Sequence, residues 1–326
     1  MSSLNGVALP GKLGLPMLVG GRVAAKVMLD LTAYLIGPDA EELDAIFDAY
    51  WATCPADRQL KYRTTELEYW PHLSRPDLTE SGRDAAMRKV RWPFLEPVRH
   101  RIEAGRAFDA QLWDGMSIDD PRGSWSLSVR AIKSRASGVH SFVRVLMPVD
   151  TDPQRLWMLA TKIAQVARLH SGHAGLSFVY DPWMKEQVFD LIYALARRFW
   201  NIDIEDINAT LPLMRRHIKG VSWITMIGHE LAAISKLTMS DVLKTADFGV
   251  LLESAAKAML ARVGLAPDVG DVSRPETLMH GYRALSSALE SLHLDDHPNF
   301  PGSRFAENEN TIGWLRRQLN PGDWRN

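Results

Sequence analysis

Cysteine is nearly absent from this 326-residue chain. The single thiol, Cys54, cannot form an internal disulfide or anchor a cysteine zinc cluster. Its setting, YWATCP, follows an amphipathic run and suits a buried inert thiol better than an activated one. Long apolar runs are missing as well: nothing approaches the roughly 20 uninterrupted apolar residues of a membrane span. The opening MSSLNGVALPGKLGLPMLVGG is broken by Gly and Pro and lacks the continuous core and cleavage site of a signal peptide. Together these lacks predict a protein of the reducing cytoplasm. Charge of one sign is also missing. With 38 Lys and Arg against 39 Asp and Glu, the formal net charge is -1, so no global field draws the chain to nucleic acid or anionic lipid.

Catalytic signatures are lacking too. There is no G-x-S-x-G elbow, no P-loop, and no G-x-G-x-x-G after a strand. His229-Glu230 begins like a zinc-protease helix, but Ala233 stands where the second His belongs. His170 and His173, in HSGH, would share a face only on a helix, and Gly172 with the following Ala-Gly predicts a turn there. The most suggestive cluster is HLDDHP, with His293, Asp295, Asp296 and His297. Imidazole and carboxylate together suit zinc or manganese, which keeps a metal-dependent hydrolase as the alternative function. A solvated polar turn before Pro298 is the plainer account. No metal, cofactor or catalytic residue is assigned.

What is present is the make-up of an ordinary globular protein, 46% hydrophobic and 24% charged. Residues 1–20 read as a loose tail, and Val23–Leu31 as a strand. Asp39 and Glu42 have capping-box spacing ahead of a helix that carries Leu43, Ile46, Phe47, Tyr50 and Trp51 on one face. Residues 55–80 read as irregular, and 81–106 as a helix interrupted at Pro93 and Pro97. Trp125–Ile132 alternates with period two, and with Phe142–Pro148 it predicts an antiparallel hairpin. Asp152-Pro153 opens a helix, HAGLSFVYD gives a strand, and residues 184–200 another helix. Strands are expected from Val221 and Phe248, and helical patterns over 255–263 and 277–292. From Asp295 onward the chain is polar, with Trp314 and Trp324 as anchors. The mixture predicts an α+β fold: a single large domain, 21–294, of mixed, partly antiparallel sheet with packed helices, between the tail and a polar extension, 295–326. Strand–helix units in both halves leave room for a diverged duplication.

Eleven tryptophans invite a binding role, since Trp is enriched at interface hot spots. Trp51, Trp125, Trp157 and Trp223 lie on apolar stripes, however, where core packing accounts for them. Acidic runs offer a second signal: Asp203, Glu205 and Asp206 in NIDIEDIN, and Asp119 and Asp120 in SIDDP. If they converge, they suit a basic partner such as a nucleic-acid enzyme.

The stretch IKGVSWITMIGHEL (218–231) resembles a signature of the type VI secretion immunity family, TsiV-like. Gly220, Trp223, Gly228, Glu230 and Leu231 carry the likeness, with Asp271 in VGDVSR and Tyr282 in GYRALSSAL. DAYWATCPADRQLKYR and HAGLSFVYD also resemble the family, so the match runs from about residue 20 to 290. Between Val250 and Val269 the chain departs from the pattern with extra residues, ESAAKAMLARVG. The resemblance implies a cytoplasmic immunity protein, not an enzyme, that binds a cognate type VI effector, a nuclease toxin, and inhibits it by occluding the active site. The acidic residues Asp203, Glu205, Asp206, Asp119 and Asp120 are then the candidates for toxin contact. Direct nucleic-acid and membrane partners are not expected, and a homodimer is left open. A scaffold role in a larger secretion assembly is a third class, separable by strong self-association.

Overall fold

The structure is a computed structural model that describes residues 7, 9–55, 60–65, 72–73, 95–115, 121, 123–132, 141–274 and 279–325. Period-two alternation organises it. The strands are β1 (Met17–Val19), β2 (Arg22–Leu35), β3 (Leu60–Thr64), β4 (His72–Leu73), β5 (Phe108–Trp113), β6 (Ser126–Ala131) and β7 (Ser141–Met147). They continue with β8 (Leu169–Tyr180), β9 (Ile202–Ile204), β10 (Ile224–Gly228), β11 (Val250–Ser254) and β12 (Ala258–Val263). All join one sheet in the order β11-β12-β10-β8-β2-β7-β6-β5-β3-β4, with β1 beside β2 and β9 beside β8. Only β8 and β9 run parallel; the other pairings are antiparallel. The hairpin read from WSLSVRAI and FVRVLMP is β6–β7.

The helices are α1 (Ala40–Thr53), α2 (Leu95–Glu103), α3 (Pro153–Val166), α4 (Lys185–Ala196), α5 (Ile207–Thr210), α6 (His229–Ile234), α7 (Met239–Leu243), α8 (Met279–Ala288), α9 (Asn308–Leu315) and α10 (Pro321–Arg325). The Asp39/Glu42 capping box starts α1, and Asp152, accepting from the Gln154 N–H ahead of Pro153, starts α3. Helices α1 and α3 pack together, and α3 lies on β2, β8, β10 and β12. The face they cover is apolar: Leu29, Leu31, Ala33 and Leu35 of β2 join Val143, Val145, Leu127 and Val129 with Leu43, Ile46, Leu159 and Ile163 in one core. Alternate residues of the same strands, Asp30, Thr32 and Tyr34, point to the second face, as a pleated strand requires. The architecture is the α+β fold expected from the mixture of elements.

Five segments differ from their sequence reading. Residues 55–80, read as irregular, contribute β3 and β4, with β3 held between β5 and β4 by antiparallel pairing. HSGH does not turn but lies inside β8, because its glycine permits close approach. A Cβ on Gly172 would come within 2.8 Å of Thr32 O and 2.5 Å of Met226 Cε. The helix-forming residues of 255–263 form β12, paired on one side with β10 and on the other with β11; two backbone partners override a weak propensity. In the stretch read as a tail, Leu13 is buried, Val7 N–H donates to Val149 O at 2.9 Å, and β1 pairs with β2. Residues 295–326, read as a polar extension, bury Phe300, Phe305, Trp314 and Trp324. Of the helix read over 81–106, α2 is the described part.

Gly228 ends β10 where α6 begins, and a Cβ there would fall 1.8 Å from Leu169 O, whereas one on Gly220 meets nothing closer than Leu315 O at 3.9 Å. G228A is therefore expected to lose about 3 kcal/mol or more, and G220A to stay within about 0.5 kcal/mol of the parent. Urea denaturation of the two variants checks this, and equal stabilities would contradict the packing described.

Candidate functional site

The site is built on the alternation in NIDIED. Strand β9 sets Asp203 beside Ser177 of β8. Ile202 and Ile204 enter the main core, so Asp203 and Glu205 turn to the second face. There they meet His173, from the middle of β8, and Lys219, from the segment before β10. Lys219 Nζ donates to Asp203 Oδ2 at 2.8 Å, Glu205 Oε2 at 2.8 Å and Ile204 O at 2.6 Å, so each ammonium N–H has an acceptor. His173 Nε2 lies 2.9 Å from Glu205 Oε2 and 3.1 Å from Asp203 Oδ2. Neither contact is an aligned hydrogen bond; opposite charge holds the ring. Glu205 has no exposed side-chain surface and Lys219 only 3%.

Burial alone would strip the proton from His173, but the Asp203 and Glu205 carboxylates outweigh it and push the imidazole up to about 9. Desolvation works against the carboxyls as well, yet Lys219 and then His173 hold both below the usual carboxylate range. The same carboxylates raise Lys219 against its burial. All four groups are therefore charged at neutral pH, and the two signs cancel. Among the described residues, His173, Asp203 and Glu205 are the group whose donor atoms, within 4.8 Å of one another, fit a metal ion. The Lys219 ammonium stands among those oxygens and already supplies the cation. The adjoining cavity, about 20 Å³ between Lys219, His173, His293, Trp314 and Gln318, has room for about one water molecule and none for a substrate.

On their other side, Glu205 and Asp206 border an open hollow of about 240 Å³. Its floor is the second face of β5, β6 and β7, where Asp109, Gln111, Ser128, Arg130, Phe142 and Arg144 project. Three ion pairs cross it or flank it: Arg144 to Asp30 at 2.7 Å, Arg130 to Asp109 at 2.8 Å, and Lys185 to Asp206 at 3.2 Å.

The structure gathers three of the expected contact residues in one place. Asp203 and Glu205 face inward to Lys219 and His173, while Asp206 caps α5 through the Ala209 N–H and pairs with Lys185. Asp119 and Asp120 lie outside the described residues. Lys219 escaped the sequence reading; its one signal was a lone cation between Ile218 and the apolar run that follows. The signature residues hold the frame. Trp223 is buried, and Asp271 accepts from Arg198 Nε and Nη2 at 3.0 and 2.8 Å and from Ser273. In HLDDHP the two imidazoles are buried, contrary to a solvated turn, and turn to different partners: His293 to Ser286 at 3.1 Å, His297 to Thr210 at 3.3 Å. Burial pushes both down, His293 to about 4. Asp295 is 79% exposed, so the cluster does not assemble a metal site.

A family model described as TsiV, type VI immunity for VRR-NUC, matches residues 84–318. Among solved structures, the chain is similar in fold to the Pseudomonas aeruginosa T6SS protein PA0821. The TM-score is 0.69 at 17% identity, over 95% of this chain and 90% of that one. No curated protein matches it significantly. No helix among the described residues is long and apolar enough to cross a membrane.

The tetrad predicts a pH dependence. The folded value of His173, about 9, lies above its ordinary value of about 6.5. Its contribution is thus fully present below about 6.5 and is lost as pH rises through about 9. The depressed carboxyls act in the opposite sense, contributing above about pH 4 and failing only under stronger acid. Urea titrations from pH 6 to 10, with the His173 ring followed by NMR, should show stability declining as that proton leaves. A ring titrating near 6.5 would refute the coupling. Lys219→Met, which strands two buried carboxylates, is expected to cost about 3–5 kcal/mol.

Proposed function

The chain belongs to the TsiV family, type VI immunity for VRR-NUC, and on that basis we propose that it binds a VRR-NUC nuclease effector in the cytoplasm and silences it by covering its active site. The family match over residues 84–318 carries this reading. The site's chemistry agrees with binding rather than turnover: its buried carboxylates, lysine and histidine are spent on one another, and the cavity beside them, about 20 Å³, takes no substrate. A nuclease that escapes is lethal to its host, so the complex must be tight, with an interface on the order of 1,600 Å². Within NIDIEDIN, Asp206 lines the hollow and is our candidate for contact, while Asp203 and Glu205 hold the segment through Lys219. Asp119 and Asp120 stay in the proposed contact set on the strength of their sequence alone.

Mixing the purified chain with its cognate VRR-NUC effector is expected to give a one-to-one complex and to abolish DNA cleavage at equimolar protein. Co-expression should protect cells from the effector. Cleavage that continues undiminished with the chain in excess would reject the proposal. Suppressed cleavage with DNA still bound by the complex would retain immunity but replace occlusion with a conformational block.

A further inference from the structure

The hollow on the second face has three ion pairs in it or beside it, and in two of them the cation stands further out. Arg144 and Lys185 are 12% and 35% exposed, against 3% and 16% for their partners Asp30 and Asp206, while Arg130 and Asp109 stand level at 42% and 41%. An approaching chain therefore meets Lys185 ahead of Asp206, and Arg130 beside Asp109. Arg130 uses only Nε, on Asp109 Oδ1 at 2.8 Å. Among the described residues, nothing accepts from its two terminal nitrogens, which form the fork that binds carboxylate.

On the turn beside this hollow stands Trp183, 93% exposed. It lies on the 3-10 turn Pro182–Met184 that leads into α4, and its neighbours Pro182 and Lys185 both line the hollow. The turn is held firmly. Trp183 N–H donates to Asp181 Oδ1 at 2.9 Å, Asp181 N–H to Ala24 O at 2.8 Å, and Met184 N–H to Asp181 O at 3.0 Å. A rigid backbone thus presents a free indole, which lowers the ordering cost of binding. Trp and Arg are also the residues that dominate interface hot spots.

We propose that this hollow, together with the exposed Trp183 on the adjoining turn, is the surface that grips the effector, and that its occupant is an acidic segment of the effector. Arg130 takes a carboxylate of that segment, and the Trp183 indole covers an apolar neighbour. The proposal rests on the immunity function above and reverses the sign expected from the run NIDIED, whose charges are neutralised within the chain.

The test uses the full chain and a catalytically inactive VRR-NUC effector, with affinity measured by titration calorimetry. Trp183→Ala and Arg130→Glu are each expected to weaken binding tenfold or more while melting at the parent temperature. Lys244→Glu, at the C-cap of α7 and 74% exposed, serves as the control and should bind like the parent. Should W183A melt early, R130E alone decides. Parent affinity in both variants would overturn this surface and leave the immunity function standing. Tighter binding by R130E would overturn the acidic occupant. A parent chain that binds no effector would overturn the immunity function, and this surface with it.

Discussion

One ammonium group determines much of this structure. Lys219 is charged although almost wholly buried, and it is tolerable there because two carboxylates and a backbone carbonyl accept its three N–H groups. Each acceptor comes from the β9 segment, so the short strand, which has only three residues of ladder with β8, is fixed by charge as well as by pairing. His173 then completes the balance from the central strand. Removing one member would leave an uncompensated buried charge, which is far more costly than the net worth of the intact pair.

The C-terminal region follows from the same constraint. A buried ionic group needs a lid that excludes water and offers polar edges, and α9 with the turn after it provides one. The Trp314 ring lies under Lys219 Nζ at 5.9 Å from its centroid, and Arg317 donates to Trp200 O and to Trp314 O. Phe300, Phe305 and Trp324 fasten this segment against Phe189 and Tyr193 of α4. That is why a stretch with polar composition behaves as core: a few aromatics, widely spaced, do the anchoring, and their spacing follows no helical or strand period.

The same physics explains which parts of the fold were legible. Where one face is wet and the other buried, local pattern reports structure directly, as in the β6–β7 hairpin, the Asp39 capping box and the Asp152-Pro153 helix start. Where a strand is buried on both faces, alternation disappears. β8 is buried along its whole length, so HSGH was read from its glycines as a turn, although those glycines serve close packing against β2 and β10. β12 has good helix formers and is a strand because it has neighbours on both sides. The acidic run NIDIED was legible as a place of interest and not as an exposed patch, since the cation that neutralises it comes from 14 residues downstream of Glu205. Trp183 lay outside every apolar stripe, which is the signal that separates it from Trp125 and Trp223 in the core.

An inhibitor of a lethal enzyme has to be rigid where it binds, and the proposed surface shares one segment with the buried tetrad. Glu205 turns into the tetrad and Asp206, the next residue, turns to the hollow, capping α5 and pairing with Lys185. The hollow wall is thereby tied to the most strongly constrained point in the fold, and Lys185 begins the helix that follows the Trp183 turn. The net charge of the chain is -1. With no long-range field, recognition on the proposed surface would fall to a small array of paired charges, in two of which the cation stands further out. Such an array discriminates by geometry, because a partner of the wrong shape would desolvate arginine and lysine without replacing their water. On the proposed surface, specificity for one effector among related ones would be a matter of which carboxylates arrive at the depth where Arg130 can take them.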